Sequence, residues 1–586
     1  GVTLITPLLG MGDPCLRVCI VGAGASGLPA IKACRDENLD VVCYEKTGDI
    51  GGLWNYRPDQ QGIGGTVMRT TVVNTSKEMM AYSDFPPDHS LPNFMEHTRL
   101  MSYLRSYALH FNLLKDIHFN SSVQKIRRSC EGKKAWEVRL EDGRVEHFDR
   151  VMLCTGHHAL PLQPDVPGMS GFPGRILHAH DYRDWKGFED KRVVLLGIGN
   201  SALDIAVDLA KIAKEVSIST RRGSWIFNRV STAGMPYDII LMTRVYEWLK
   251  QLVPWTVLND FMEHRLTQRL DHDIYGLRPA HRFFQQHPTV NDSLANLLCS
   301  GQIKIVNDVE RVAGSEIFIK EGGSMEADVF IFCTGYSFSF PYLQPGVIDY
   351  EDHRVDLYNF VFPPASDDIA VIGLVQPIGS IAPISELQSR WAAGVFAGRY
   401  SLPSKSERHR DIEEKRKAMQ RRYYKSSRHS IQVDYMSYMD ELSHFIGCYP
   451  QPFQTLLSDW RLGLRLVIGP NAPYAYRLNG PHSYEGARDA VMNLAERVKL
   501  PLKHRSCRIR RHKRRGRIEE WLRYESLKWL AAWTCLMLCS GLWLFCASPL
   551  SSLSPFSFFL LVLIYLALFS ILLLWFDIQY DMTTIL

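Results

Sequence analysis

The sequence predicts an α/β protein with two Rossmann-like dinucleotide-binding units, a helical insertion and C-terminal transmembrane helices. Three observations predict it. A strand, a glycine-rich turn, a helix and a second strand follow one another at residues 17–45 and again at 192–221. From Ser231 to about Ala295 the pattern is amphipathic and helical, with Trp and Arg interspersed. Past Lys528 stand two long runs without a charge.

The chain has 586 residues, 46% hydrophobic and 22% charged. That is material for more than one core, and it excludes a disulfide-stapled mini-protein or general disorder. The net charge of +5 is local. Lys503, Arg505, Arg508, Arg510, Arg511, Lys513, Arg514, Arg515 and Arg517 form a run without an acid, and the rest of the chain carries a formal −4. The 13 cysteines include no CxxC pair, which predicts reduced thiols in the cytosol and no metal site. The first ten residues are uncharged, so no signal peptide is expected there. Asn74 and Asn120 each begin a glycosylation triplet, a chance match in a cytosolic domain.

The first unit begins with a short apolar run from Arg17 to Val21, of the kind that makes a buried parallel strand. Gly22, Ala23, Gly24, Ala25, Ser26 and Gly27 form the turn, and a helix is predicted from Leu28 to about Arg35. Gly22 permits the tight turn, Gly24 lets backbone approach a pyrophosphate, and Gly27 lets helix pack on strand. The helix start offers free N–H groups and a positive dipole end to phosphate. Glu45 closes the second strand 18 residues after Gly27, placed to accept from a ribose 2′-OH. Next come Gly51, Gly52, Leu53 and Trp54, where paired glycines let the chain pass close to a flat cofactor; an ordinary turn is the plainer reading.

The second unit repeats the plan. Its strand runs from Arg192 to Leu196, its turn is Gly197, Ile198, Gly199, Asn200, Ser201 and Ala202, and its helix is predicted to reach Ala213. The slot that holds Glu45 in the first unit lies 19 residues after Ala202 and holds Arg221, followed by Arg222. An acid there selects a free 2′-OH, whereas arginine selects a 2′-phosphate by charge and forked donors. The first unit therefore fits FAD or NAD and the second NADP. Together they suggest a flavoprotein reduced by NADPH. Thiol–disulfide chemistry is disfavoured, because no cysteine stands between Cys43 and Cys130.

Between the units, Phe172, Gly174, His178 and Tyr182 make the pattern FxGxxxHxxx[F/Y]. That pattern closely resembles the fingerprint of the flavin-containing monooxygenases, of the microsomal, dimethylaniline N-oxide-forming type. Asn74-Thr-Ser-Lys-Glu-Met, Ser83-Asp-Phe-Pro, Cys154-Thr-Gly-His-His, Cys333-Thr-Gly-Tyr-Ser-Phe and Gly373-Leu-Val-Gln376 resemble the same family, over roughly residues 14–500. Residues 383–388 and 428–432 are most similar to the fifth vertebrate isoform group.

The resemblance implies that NADPH reduces FAD and that O2 then forms a C4a-hydroperoxyflavin, which oxygenates soft nitrogen or sulfur centres of small lipophilic amines or sulfides. It implies a catalytic role for Asn74 beside the flavin, where its amide donates and accepts, flanked by Val73 and Thr75. It implies NADP contacts at Ser201, Leu203 and Asp204, and places Gln376 at a helix N-terminus facing the flavin. The fingerprint residues are implied to lie on a linker, with His178 structural. Dedicated Baeyer–Villiger relatives usually carry Trp where this chain has Tyr182, which favours heteroatom oxygenation. The alternatives are a Baeyer–Villiger enzyme or H2O2-producing NADPH oxidase on the same scaffold, and a non-catalytic membrane scaffold.

The expected organisation is an FAD domain from 14–163 and 333–500, an NADPH domain from 164–230 and 296–332, and a helical insertion at 231–295. A basic collar at 503–517 precedes transmembrane segments at 529–547 and 556–576. At helical rise the two segments span about 28 and 32 Å, close to the hydrocarbon core. The collar sets the preceding side as cytoplasmic and near anionic headgroups, in preference to a nucleic-acid partner. The expected location, by resemblance, is the endoplasmic reticulum membrane with the catalytic domains in the cytosol. A homo-oligomer is a further expectation.

Overall fold

The computed structural model describes residues 15–503, apart from 60–63, 130–133, 232–233, 352–353 and 425–429. The collar beyond Lys503 and both apolar segments lie outside the described residues. Among the described residues no helix is long and apolar enough to cross a membrane. Contacts divide the chain into a unit ending at Val498 and a second starting at Lys499, of which one 3-10 turn, Leu500–Leu502, is described. The first unit contains both glycine-rich turns and the insertion.

Two five-stranded parallel sheets organise it. The strands are β1 (Arg17–Val21), β2 (Asp40–Tyr44), β3 (Ile117–His118), β4 (Arg150–Leu153), β5 (Arg175–His178), β6 (Arg192–Leu196), β7 (Glu215–Ser219), β8 (Ile303–Val306), β9 (Val329–Phe332) and β10 (Ile369–Val371). The first sheet has the order β10-β4-β1-β2-β3 and the second β5-β9-β6-β7-β8. The two orders are the same plan, with the strand before each glycine turn at the centre. β1 and β6 are buried almost throughout, as strands covered on both faces must be.

The equivalence extends to single atoms. A Cβ on Gly22 would stand 2.7 Å from the Cys154 carbonyl oxygen, and one on Gly197 would stand 2.5 Å from that of Cys333. Both glycines also have left-handed backbone, with φ of 100° and 119°. Each turn therefore needs glycine for the same reason: the chain leaving the neighbouring strand passes directly over it.

Helix α1 (Gly27–Asp36) follows the first turn and α2 (Asn200–Leu209) the second. α2 ends four residues short of the predicted Ala213, because residues 210–214 form the turn into β7. The insertion contains α3 (Tyr237–Leu241), α4 (Arg244–Leu252) and α5 (Trp255–Thr267), then a largely irregular stretch. Its ends are tied together, with Ile226–Phe227 pairing in parallel with Thr289–Val290.

The expected interdomain linker at the fingerprint is corrected. Residues 175–178 are the edge strand β5, paired in register with β9. A Cβ on Gly174 would lie 2.3 Å from the Asp328 carbonyl oxygen, so the glycine serves this close approach. Tyr182 is 2% exposed, and its hydroxyl donates to Asp208 on α2 at 2.6 Å. His178 accepts the His180 N–H at Nδ1, and burial lowers its pKa. It is a neutral packing residue. The pairing partner of β5 is some 150 residues away in sequence, which no local pattern reveals.

Candidate active site

Glu45 closes β2 and is 4% exposed. One carboxylate oxygen accepts the Ala23 N–H at 2.8 Å, and the other accepts the Thr47 N–H and hydroxyl at 2.9 and 2.8 Å. The acid thus fixes the glycine turn. With three of about four lone-pair positions occupied, one remains for a ribose hydroxyl. The Gly51 N–H donates to the Ala23 carbonyl at 3.0 Å, which lays the 51–54 segment along the first turn. Gly51 and Gly52 have φ of 96° and 54°, and Gly52–Trp54 makes one 3-10 turn. A Cβ on Gly24 would sit 3.6 Å from the Gly52 Cα. Two glycines thus face each other where any side chain would narrow the groove. Ser26 bonds the Ser385 hydroxyl at 2.9 Å. Ala23 is fully buried and Ala25 half-buried.

In the second unit, a Cβ on Gly199 would meet nothing within 4 Å, so the space above this turn is open. Asn200 accepts the Val290 N–H at 2.8 Å, and Thr289 donates to the Ile198 carbonyl at 2.8 Å. The returning end of the insertion is strapped across the turn by these bonds. Ser201 is exposed, whereas Ala202 and Leu203 are core residues that can offer a ligand only backbone. Asp204 receives Asn291 Nδ2 at 3.4 Å, and burial raises its pKa to about 6. Arg221 and Arg222 are exposed just past β7, and the Arg222 guanidinium lies 5.1 Å from the centre of the Tyr424 ring.

Asn74 and Thr75 line a cavity of about 250 Å³ that also touches Asn200. Val73 is buried behind them, donating to the Met95 carbonyl at 2.9 Å. The Asn74 carbonyl oxygen accepts from Arg229 at 2.6 Å. Arg229 is in turn held by Asp292 at 2.9 Å. Ser76 donates its N–H to Asp238 at 2.6 Å, and Asp238 lies on the cavity wall. Arg229 and Asp238 were not among the residues singled out from sequence; Arg229 lies eight residues past Arg221, and nothing local marks either.

Gln376 is a correction. It sits on the two-residue strand Gln376–Pro377, paired with Gln432–Val433, and the next helix, α6 (Ile381–Phe396), is capped by Ser380. Its carbonyl accepts from His287 at 3.1 Å. A proline and a glycine after it read as a helix start, but β pairing to a distant segment claims the backbone first. In the Cys154-Thr-Gly-His-His run, burial lowers His157 to about 3 and His158 to about 4. Both imidazoles are neutral and pack, with ring centroids 4.3 Å apart.

A family model described as flavin-binding monooxygenase-like matches residues 15–539. This chain belongs to that family. Flavin-containing monooxygenase 5 of Oryctolagus cuniculus is 44% identical over 501 residues, covering 83% of this chain and 93% of that one. Dimethylaniline monooxygenase (N-oxide-forming) 2 of Mus musculus is 39% identical over 500 residues, covering 84% and 94%. Among solved structures, the S-allyl-L-cysteine S-oxygenase of Allium sativum has a TM-score of 0.57 at 24% identity, covering 84% of this chain and 99% of that one. Cyclohexanone monooxygenase of Rhodococcus sp. Phi1 bound to NADP+ has a TM-score of 0.55 at 15% identity, covering 74% and 98%. These two show the fold.

Membership of the family makes the chain an NADPH- and O2-dependent flavin monooxygenase, with FAD and NADPH as cofactors and small molecules as substrates. The residues present fit both groups. The facing Gly24 and Gly52 leave a groove for a flat dinucleotide, and Glu45 keeps an acceptor for its ribose. The open turn at Gly199 and the exposed arginine pair suit a pyrophosphate and a 2′-phosphate.

Proposed function

We propose that the chain oxygenates soft nitrogen or sulfur centres of small lipophilic amines and sulfides, with Asn74 as its catalytic residue. The observation that carries this reading is the Asn74–Arg229 contact. The guanidinium occupies the amide oxygen, so the rotamer is fixed and the Asn74 NH2 group is the part left to donate. Bound FAD, reduced by NADPH, supplies the activation of O2. The protein's part is to hold a reacting oxygen atom by the Asn74 N–H, to keep it from water, and to admit the substrate. No strong acid or base is asked of Asn74.

The remaining roles rest on position. Gly22 to Gly27, Glu45, Gly52, Leu53, Trp54, Val73 and Thr75 serve FAD, with Gln376 behind the cavity wall. Gly197, Gly199, Asn200, Ser201, Ala202, Leu203, Asp204, Arg221 and Arg222 serve NADPH. The FAD domain comprises 14–163 and 333–500, and the NADPH domain 164–230 and 296–332, separated by the 231–295 insertion. Anchoring by 529–547 and 556–576 in the endoplasmic reticulum membrane, with the domains in the cytosol, is supported by the basic run before the apolar segments. Homo-oligomerisation belongs to the same proposal.

The deciding experiment reduces the purified holoenzyme anaerobically with NADPH, mixes it with O2, and compares NADPH consumed with H2O2 and oxygenated product. Product from amines and sulfides in proportion to NADPH is expected. Near-complete recovery as H2O2 would overturn the proposal in favour of an oxidase.

A further inference from the structure

The cavity beside Asn74 contains a charge to which no cofactor role attaches. Asp238 belongs to α3, and its two carboxylate oxygens accept the N–H groups of Ser76 at 2.6 Å and Ile239 at 2.8 Å. Both donors are neutral amides. Among the described residues no cation forms an ion pair with Asp238, and the leading influences on its titration are burial and hydrogen bonds from Ser76, Ile239 and its own backbone. The other acids on the wall are neutralised: Glu247 pairs with Lys250 at 2.7 Å, and Asp434 with Arg422. Arg229 is committed to Asp292 and Asn74. From the facing helix Tyr435–Ile446, Tyr435 presents a phenol whose hydroxyl donates to the Met79 carbonyl. Tyr237 and Tyr246 add phenols to the wall, and His287 bonds the Gln376 carbonyl. One negative charge therefore faces the cavity without compensation. Phe94, Phe227, Tyr237 and Phe283 also line it, and aromatic faces attract cations.

We propose that Asp238 receives amine substrates as alkylammonium ions and removes their proton before oxygen transfer. The inference rests on the monooxygenase reading of this cavity and deepens it. An aliphatic tertiary amine is mostly protonated at neutral pH, and an ammonium nitrogen has no lone pair with which to attack oxygen. In the step, the N–H bond breaks and its electron pair stays on nitrogen. The proton forms an O–H bond on Asp238, using a lone pair not taken by Ser76 or Ile239. An ion pair becomes a neutral acid and a neutral amine, the arrangement a desolvated cavity favours. Burial raises the carboxyl pKa to about 6, so the group is ionised at neutral pH and yet more basic than an ordinary carboxylate.

The test uses the holoenzyme and three substrates: N,N-dimethylbenzylamine, protonated at neutral pH; N,N-dimethylaniline, neutral there; and methyl p-tolyl sulfide, which carries no proton. Asp238→Asn is expected to lower the kcat/KM of the benzylamine relative to the sulfide by roughly 10- to 100-fold. Its pH profile should then climb with the free-amine fraction, and Asp238→Glu should restore most of the ratio. Equal losses on all three substrates would overturn the proposal, because they would mean that Asp238 only holds the Ser76 loop. An unchanged benzylamine pH profile would overturn it as well. Calorimetric titration with benzyltrimethylammonium gives a readout apart from turnover: about tenfold weaker binding to Asp238→Asn supports the cation site, and equal binding overturns it. If the wild type fails to oxygenate even the sulfide, the substrate class of the proposed function falls, while the calorimetric arm still decides the role of Asp238.

Discussion

The Asn74 carboxamide oxygen accepts a hydrogen bond from the Arg229 guanidinium at 2.6 Å, across 155 residues of sequence. The bond joins the loop after the first nucleotide unit to the start of the insertion. A charged donor of this kind is stronger than a neutral one, and it holds the amide in one of its two orientations. Arg229→Ala should therefore behave as a weaker Asn74→Ala. Both should retain FAD. Asn74→Ala should lose most product formation, and Arg229→Ala roughly 10- to 100-fold of kcat, with NADPH diverted to H2O2. The double variant should be scarcely worse than Asn74→Ala alone, since the two act as one unit. Additive losses in steady-state product assays would contradict this coupling.

The two glycine turns allow a clean separation of folding from binding. Gly197→Ala forces a Cβ to 2.5 Å from a carbonyl oxygen at a φ of 119°, so it should lower soluble yield and melting temperature. Gly199→Ala meets no protein atom within 4 Å. It should fold and load FAD normally while raising the KM for NADPH about tenfold or more, because its methyl group occupies the approach to the phosphates. Normal NADPH kinetics in that variant would show that the pyrophosphate lies elsewhere.

In the proposed function, Arg221 and Arg222 carry the choice of nicotinamide cofactor. Removing either forked donor should weaken NADPH binding by about 1.5–3 kcal/mol and leave NADH binding nearly constant. Ratios of kcat/KM for the two cofactors in Arg221→Ala and Arg222→Ala measure this directly. A parallel fall for both cofactors would place the 2′-phosphate away from these side chains.

A buried ion network centred on Arg477 holds two motif segments together. Arg477, 1% exposed, bonds Glu386 and Asp84, each at 2.8 Å, and also the Ser83 hydroxyl at 2.8 Å. Glu386 is 2% exposed and accepts the Ser83 N–H at 2.6 Å. Arg477→Met leaves Glu386 buried without its cation and Asp84 with Lys32 alone, at a cost of about 3–5 kcal/mol. Urea unfolding should show the loss, and unchanged stability would mean that the carboxylates find other partners.

Asp204 makes stability depend on pH. Its folded pKa, raised by burial to about 6, exceeds the unfolded value near 3.9, so the native state holds the extra proton between them. Stability from this group is complete at low pH and is lost as pH rises through about 6; Asp238, also raised to about 6, adds the same trend. Asp204→Asn should flatten the slope and raise the Tm at pH 7.5 by about 1 °C, corresponding to ~1 kcal/mol. A lower Tm would show that the ionised carboxylate is held favourably by Arg229.

Both glycine turns, their flanking strands and helices, Glu45 and the arginine pair were legible because each unit is a local pattern. Its strand, turn and helix interact within about 30 residues, so period and glycine spacing record them. The fingerprint at Phe172, Gly174, His178 and Tyr182 was legible as a motif but not as structure. The segment 175–178 within it forms a sheet edge only because β9 lies alongside. Gln376 misled for a similar reason, since its partner strand is Gln432–Val433.

By itself the sequence determined the two glycine-turn units and the family. Tertiary structure decided what surrounds the reacting atoms. Arg229 bonds Asn74 and Asp238 bonds Ser76 two residues on, contacts that span 155 and 162 residues. Side chains that meet across such separations share no periodicity or spacing. They are brought together by the packing of the insertion against both units, and only there does the orientation of the Asn74 amide become fixed.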